Sequence, residues 1–285
     1  MPPVPRWPAG RQARLARVTP RTLKLTITYD GTRLVGWQRQ AEGTSVQGLL
    51  EEALARLDGA PVIVHGAGRT DAGVHAFGQV ASAQLSCEHP PEVLRRALNA
   101  ILPPDVRVVD VCDAEPAFHA RFSARAKTYC YVLRNAAIVS PFERRYVWHV
   151  PEPLDLGAMQ AAARTLVGTH DFAAFRSTGS TSTTTVRTIM RSEMSTQTGV
   201  SWAVPFGGPD GVQADPDDLT RIVYEVSGSG FLRHMVRAIV GTLVDIGRGR
   251  YPPERMTALL EDGSRSDAGA TAPAQGLFLV RVDYH

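Results

Sequence analysis

The sequence is short of several things whose absence narrows its possibilities. It has only three cysteines in 285 residues (Cys87, Cys112 and Cys130), an odd number without close spacing, which argues against a disulfide framework. No apolar run approaches the roughly 18 residues of a membrane-spanning helix, and no apolar segment with a small-residue cleavage site opens the sequence. A reducing cytoplasm is therefore the expected compartment. Metal-binding patterns are missing as well. His65, His75, His119 and His234 are scattered, and neither Cys-x-x-Cys nor His-Glu-x-x-His spacing occurs. Structural or supporting roles are expected for these histidines, and no metal or other cofactor is expected.

What is present is ordinary for a globular protein: 44% apolar and 21% charged residues, enough chain for one large or two small domains. The net charge of +3 is unevenly spread. Residues 1–25 carry six basic side chains and no acid, leaving 25 basic and 28 acidic residues elsewhere. A polyanion would thus have to bind a local patch rather than the overall charge. Two patches qualify. Residues 118–145 hold Arg121, Arg125, Lys127, Arg134, Arg144 and Arg145 against Glu143 alone, and residues 221–255 hold six arginines against three acids.

Residues 1–21, rich in proline and arginine without apolar periodicity, read as a flexible basic tail. Leu23, Leu25, Ile27 and Tyr29 alternate with polar residues and predict a half-buried strand. Thr44 and Gln47 have capping-box spacing before an apolar helical pattern that Gly59 ends. A strand at 61–65, a Gly-rich loop at 66–75, a strand near 76–85, a helix at 91–101 and a strand at 106–112 follow. This β-α-β-β-α-β order is the ferredoxin-like plan. Further strands are expected at 127–134, 146–150, 186–195, 200–204, 221–226 and 277–284. Helices are expected at 155–167, at 231–246 and after Pro252-Pro253. Residues 196–218 read as an exposed, acidic loop. The expected fold class is α+β: a tail at 1–21, a ferredoxin-like half at 22–115 and a second α/β half at 116–285, with largely antiparallel sheets.

The most informative stretch is His65-Gly66-Ala67-Gly68-Arg69-Thr70-Asp71-Ala72-Gly73-Val74-His75. Its glycines allow positive φ and close approach to a ligand. A dinucleotide fingerprint is rejected because its sixth position is Asp71, whose carboxylate would repel pyrophosphate, and a strand follows instead of a helix. A phosphate loop from Gly73 to Gly78 is rejected because Gln79-Val80 stands where Lys-Ser/Thr is required. On composition alone Asp71 reads as a turn aspartate. Without a second acid in the loop, a nucleophilic role fits it better than glycoside hydrolysis.

This loop, with Tyr29-Asp30-Gly31-Thr32-x-x-x-Gly36-Trp37-Gln38, resembles the tRNA pseudouridine synthase A family. So do Phe118-His119-Ala120-Arg121-Phe122-Ser123-Ala124 with Lys127-Thr128-Tyr129-Cys130-Tyr131, Phe231-x-x-x-Met235-Val236-Arg237-x-Ile239-Val240-Gly241, and Gly276-Leu277-Phe278-Leu279. The resemblance spans about residues 22–284. It implies a pseudouridine synthase fold with a central RNA-binding cleft and a cofactor-free isomerase acting on uridines 38–40 of the tRNA anticodon arm. It also implies a homodimer holding one tRNA across both subunits. Asp71 falls on the family's nucleophile and Tyr129 on the tyrosine packed against the target uracil. Arg69 matches the arginine that displaces the base, Arg237 the basic partner of the aspartate, and Leu277 a further substrate-binding position.

Each assignment has a physical reason. A detached uracil must be held against an aromatic face, and a tyrosine adds a hydroxyl able to move a proton. A nearby guanidinium keeps a carboxylate ionised where water is scarce. Unstacking a paired uridine costs on the order of a few kcal/mol, which phosphate contacts elsewhere must offset. Plainer readings stand beside these: Tyr129 and Tyr131 as core residues, Trp37 as edge packing, and Gly228-Ser229-Gly230 as either a phosphate-binding turn or a mere entry to the helix. A non-catalytic RNA-binding module of βαββαβ type is the rival function, but residues 61–65 and 106–112 lack the aromatics that such a sheet needs.

Overall fold

A computed structural model describes residues 20–177, 183–198 and 220–284. In the first half the chain runs β1 (Arg21–Tyr29), α1 (Val46–Asp58), β2 (Val64–Gly66), β3 (His75–Leu85), α2 (Pro91–Ile101) and β4 (Val106–Ala114). The alternation of β1 buries Leu23, Leu25 and Ile27 completely. The strand lies between β3 and β4, antiparallel to both, with Leu25 opposite Ala81 and Val111. α2 starts with proline in its first turn and buries Leu94 and Leu98. The Asn99 amide of α2 clamps β4 by exchanging two hydrogen bonds with the Val108 backbone.

Several local expectations are corrected. The basic tail gives way to structure at Arg21, which already pairs with Leu85 in β1 and bridges to Asp113 at 3.2 Å. Ser45, not Thr44, caps α1, its hydroxyl accepting from the Gly48 amide. Gln47 instead accepts from the Arg39 amide and donates to Glu51 and the Val64 carbonyl, so the capping box does not form. β2 is only three residues long and starts three residues later than expected. Gly59 ends α1 in the left-handed region, at φ 78°.

The second half contributes β5 (Ala126–Asn135), β6 (Trp148–Val150), α3 (Leu156–Arg164), β7 (Gly168–Asp171), β8 (Val186–Thr198), β9 (Thr220–Gly228), α4 (Met235–Gly247), α5 (Arg255–Glu261) and β10 (Leu277–Asp283). Short β7, paired with β8, was not foreseen, and α3 stops three residues early. The expected strand at 200–204, most of the tail and residues 199–218 of the expected acidic loop lie outside the described residues; residues 196–198, expected in that loop, continue β8 instead. All ten strands form one sheet in the order β4-β1-β3-β10-β5-β9-β8-β7, with β2 added to β3 and β6 to β5. Its seam is β10, parallel to β3 through Phe278 opposite His75 and antiparallel to β5 through Leu279 opposite Tyr129. Pairing is antiparallel elsewhere except between β5 and β6. One hydrophobic core includes residues of both halves, and no helix of the described residues is long and apolar enough to cross a membrane.

α4 is apolar apart from Arg237, Thr242 and Asp245 and buries eleven of its thirteen residues, as an internal helix must. It begins four residues later than expected because His234 takes a left-handed conformation, φ 61°, and cannot continue a helix. Gly228-Ser229-Gly230 therefore ends β9 and does not form the helix N-terminus. Halfway along, Gly241 passes so close to the Ala270 carbonyl that an added Cβ would collide with it. Gly241→Ala is expected to lower stability by about 1–3 kcal/mol through this backbone clash. Urea denaturation checks this, and an unchanged midpoint would contradict the packing described.

Candidate active site

The segment between β2 and β3 is held from several sides. The Thr70 carbonyl accepts from the Trp37 amide at 3.0 Å, and the Thr70 and Tyr29 hydroxyls share a 2.7 Å hydrogen bond. Gln79 donates to the Gly68 carbonyl at 2.8 Å, and the Val74 amide closes a turn on the Asp71 carbonyl. Gly36, at φ 102°, lets the chain pass within reach of Thr70: a Cβ there would lie 2.6 Å from that carbonyl oxygen. The Tyr29–Gln38 and 66–78 motifs, distant in sequence, are thus two sides of one cradle. Trp37 is buried against Gly66, so edge packing is its role.

The cradle presents the Asp71 carboxylate to the start of α4. Its Oδ2 lies 3.5 Å from Arg237 Nη1 and 3.4 Å from His234 Nε2, and the side chain keeps 29% exposure. Both distances exceed an ideal charge-assisted hydrogen bond of about 2.7–2.9 Å, so the carboxylate is faced by positive charge without being fully saturated. Arg237 is fixed from behind, its Nε donating to the Ala272 carbonyl at 2.7 Å while the Ala272 amide donates to the Arg237 carbonyl. Asp71 belongs to the first half of the chain and Arg237 to the second, so this pairing exists only once the halves share a sheet.

Tyr129, on β5, is buried beside this pair, and its ring meets Phe231 edge-on at 5.0 Å. Burial, with the charges of Tyr29 and Asp71, raises its pKa well above the usual phenol, so the hydroxyl stays protonated. That oxygen lies 3.8 Å from where a Cβ of Gly68 would be. Its neighbour Tyr131 is a core residue, packed against Gly276 and donating to the Pro273 carbonyl. Arg69 is exposed at the rim of the loop. Leu277 is buried on β10 opposite Tyr131, two pairs removed from the pair that holds Tyr129 in the ladder. The structure thus brings Asp71, Arg237 and Tyr129 together, leaves Arg69 exposed on the loop that carries Asp71, and places Leu277 in the adjoining core.

Sequence reasoning left His234 without a role in the site. Its spacing of three residues from Arg237 was the available signal, since residues three apart share a helix face. The left-handed backbone, which L-residues adopt at a cost, could not be foreseen. Burial lowers the pKa of His234, the Asp71 carboxylate raises it, and Arg237, Arg233 and Arg265 lower it further; the net direction is down. Elsewhere, burial pushes the Cys130 thiol up to about 12, which leaves it inert. Among the described residues no three His, Cys, Asp or Glu side chains are grouped to hold a metal ion. The clefts of about 280 and 730 Å³ elsewhere on the surface are not lined by Asp71.

A family model described as tRNA pseudouridine synthase matches residues 25–123 and 162–285. The tRNA pseudouridine synthase A of Pelobacter propionicus is 46% identical over 265 residues, covering 93% of this chain and 100% of that protein. That of Syntrophotalea carbinolica is 46% identical over 263 residues, covering 92% and 96%. That of Thermoanaerobacter pseudethanolicus is 39% identical over 264 residues, covering 93% and 100%.

The opposing influences on His234 have definite signs. Asp71→Asn removes the charge that favours imidazolium and should lower the pKa of His234 further. Arg237→Gln removes a charge that opposes imidazolium and should raise it. Titration of the imidazole C–H resonances by NMR checks both directions, and identical pKa values in the two variants would contradict the triad.

Proposed function

The chain belongs to the tRNA pseudouridine synthase family and is an isomerase, and from that premise we propose that it converts uridine to pseudouridine in the anticodon arm of tRNA with Asp71 as nucleophile. The observation that carries this reading is the Asp71 carboxylate facing Arg237 and His234 at 3.4–3.5 Å beside the buried Tyr129. A module that only bound RNA would have no use for such a carboxylate.

The reaction breaks the bond from C1′ to N1 of uracil and makes one from C1′ to C5. N1 gains a proton and C5 loses one, so no water or electron is consumed. The bond that Asp71 makes to the substrate is broken again when C1′ bonds to C5, which frees the carboxylate; Arg237 holds its charge, and the protonated Tyr129 packs against the detached ring and offers a hydroxyl. That hydroxyl faces the catalytic loop, 3.8 Å from where a Cβ of Gly68 would be. Arg69, exposed at the rim, takes the space vacated by the displaced base. Leu277 closes the apolar side of the pocket.

The same reading extends to the architecture. Residues 22–115 and 116–285 are two ferredoxin-like units, supported by the parallel between the strand orders β4-β1-β3-β2 and β10-β5-β9-β8. The tRNA lies in the cleft where they meet, across a homodimer in the cytoplasm.

Asp71→Asn is expected to retain tRNA binding and to lose tritium release from 5-tritiated uridine in tRNA down to background. Normal release by this variant would remove the nucleophile. Arg237→Ala should lower the single-turnover rate by about 10²–10³-fold, with a much smaller change in Kd, because it acts on the carboxylate and not on phosphate. Reduced binding with an undiminished single-turnover rate would overturn its role.

A further inference from the structure

Beside the Asp71 loop lies an arrangement that the chemistry above does not use. His65, the middle residue of β2, packs its ring on His119 at 4.7 Å between centroids, and His119 packs on Phe122 at 4.4 Å. The Arg121 guanidinium lies 5.6 Å over the Phe122 ring. The ladder ends in solvent, with Phe122 77% exposed.

The ladder is built, not incidental. The His119 imidazole accepts from the Arg121 and Phe122 amides through Nδ1, and its amide donates to Ser123 Oγ. Burial first, then the charges of His65 and Arg121, lower the pKa of His119, which keeps that acceptor nitrogen unprotonated. Ala120, the residue after His119, is fully buried against Ala67 of the catalytic loop. Its amide donates to Ser82 and its carbonyl accepts from Tyr284. The turn that carries Phe122 is therefore clamped to the base of the loop that carries Asp71.

The surroundings are cationic. Arg121 lies close enough to Lys127 to lower its pKa, second only to burial, and Lys127 packs its stem against Gly68. From residue 118 to 142 the chain has no acidic side chain. An exposed, preorganised aromatic face among cations is what a stacking platform for single-stranded nucleic acid requires.

We propose that Phe122, held on the His65–His119 ladder, is the stacking platform for an unpaired nucleobase of the substrate RNA, a neighbour of the target uridine. This deepens the function proposed above and rests on it for the identity of the RNA. The Arg121 guanidinium, 5.6 Å over the Phe122 ring, is placed to share the stack with the captured base, and the clamp through Ala120 ties the platform to the loop that carries the nucleophile. A base captured here keeps the opened strand from closing again while Asp71 acts.

The test is equilibrium binding of anticodon-arm RNA to the full-length protein, comparing wild type with Phe122→Ala, Phe122→Leu and Phe122→Trp. Phe122 is exposed, so these variants fold. Phe122→Ala is expected to raise Kd about 5- to 100-fold, the range that base–aromatic stacking spans. Phe122→Trp should restore binding, Phe122→Leu should not, and the slope of log Kd against log salt should stay as in wild type. A series of RNAs each lacking one base near the target should contain one that binds wild type and Phe122→Ala equally.

An unchanged Kd for Phe122→Ala, full restoration by leucine, or a loss equal for every abasic RNA overturns the platform. So does a loss accompanied by a changed sedimentation coefficient, which would make this ring a contact between copies of the chain. Pseudouridine formation by the wild-type protein is scored separately. Its absence alongside the predicted binding pattern would sink the proposed activity and leave the platform standing.

Discussion

The structure depends on a charge contact that neither half of the chain can make alone. Asp71 sits on a loop of the first half, while Arg237 and His234 sit at the start of α4 in the second, and they meet at 3.4–3.5 Å. The final strand makes this possible by pairing with β3 on one edge and β5 on the other. A break in that seam would leave a carboxylate on one unit and a guanidinium on another. The seam also places Leu279 opposite Tyr129, so the strand that joins the halves sets the position of the aromatic ring as well.

The surrounding packing serves to hold that contact in one geometry. The Asp71 loop has little side-chain bulk of its own and takes its shape from outside, through Tyr29, Trp37, Gly36 and Gln79. α4 is rigid because it is internal, and Arg237 is secured to the Ala272 backbone before it reaches Asp71. Such preorganisation is how a site offers charge to a reacting group without first reorganising. The strained backbone of His234 fits the same pattern: surrounding structure sustains an unfavourable conformation where it places a ring beside the carboxylate.

Parts of this were legible beforehand for local reasons. The alternation at 23–29, the helix at 91–101 and the stop at Gly59 follow from periodicity and from the φ that glycine tolerates, which neighbouring residues settle among themselves. The capping box at Thr44 failed because Gln47 found partners in Arg39, Glu51 and Val64, two of them brought near only by folding. Tyr129 and Tyr131 looked alike in sequence, and only the packing around them separates a ring beside Asp71 from one sealed in the core.

Legible in the amino-acid order alone were the α+β class, the tight Gly-rich turn bearing Asp71, and the resemblance that singled out Asp71, Tyr129, Arg69, Arg237 and Leu277. Those are properties of short segments, where spacing and residue type act directly on backbone and charge. It took folding to bring His234 to Asp71, to set Leu277 opposite Tyr131, and to pack two histidines and a phenylalanine in tilted contact beside the loop. Apart from His119 and Phe122, each of these joins positions tens to hundreds of residues apart. For the first two, proximity is set by the register of β10 between β3 and β5, and for the third by the packing of the 118–123 turn on the loop after β2; no local pattern encodes either.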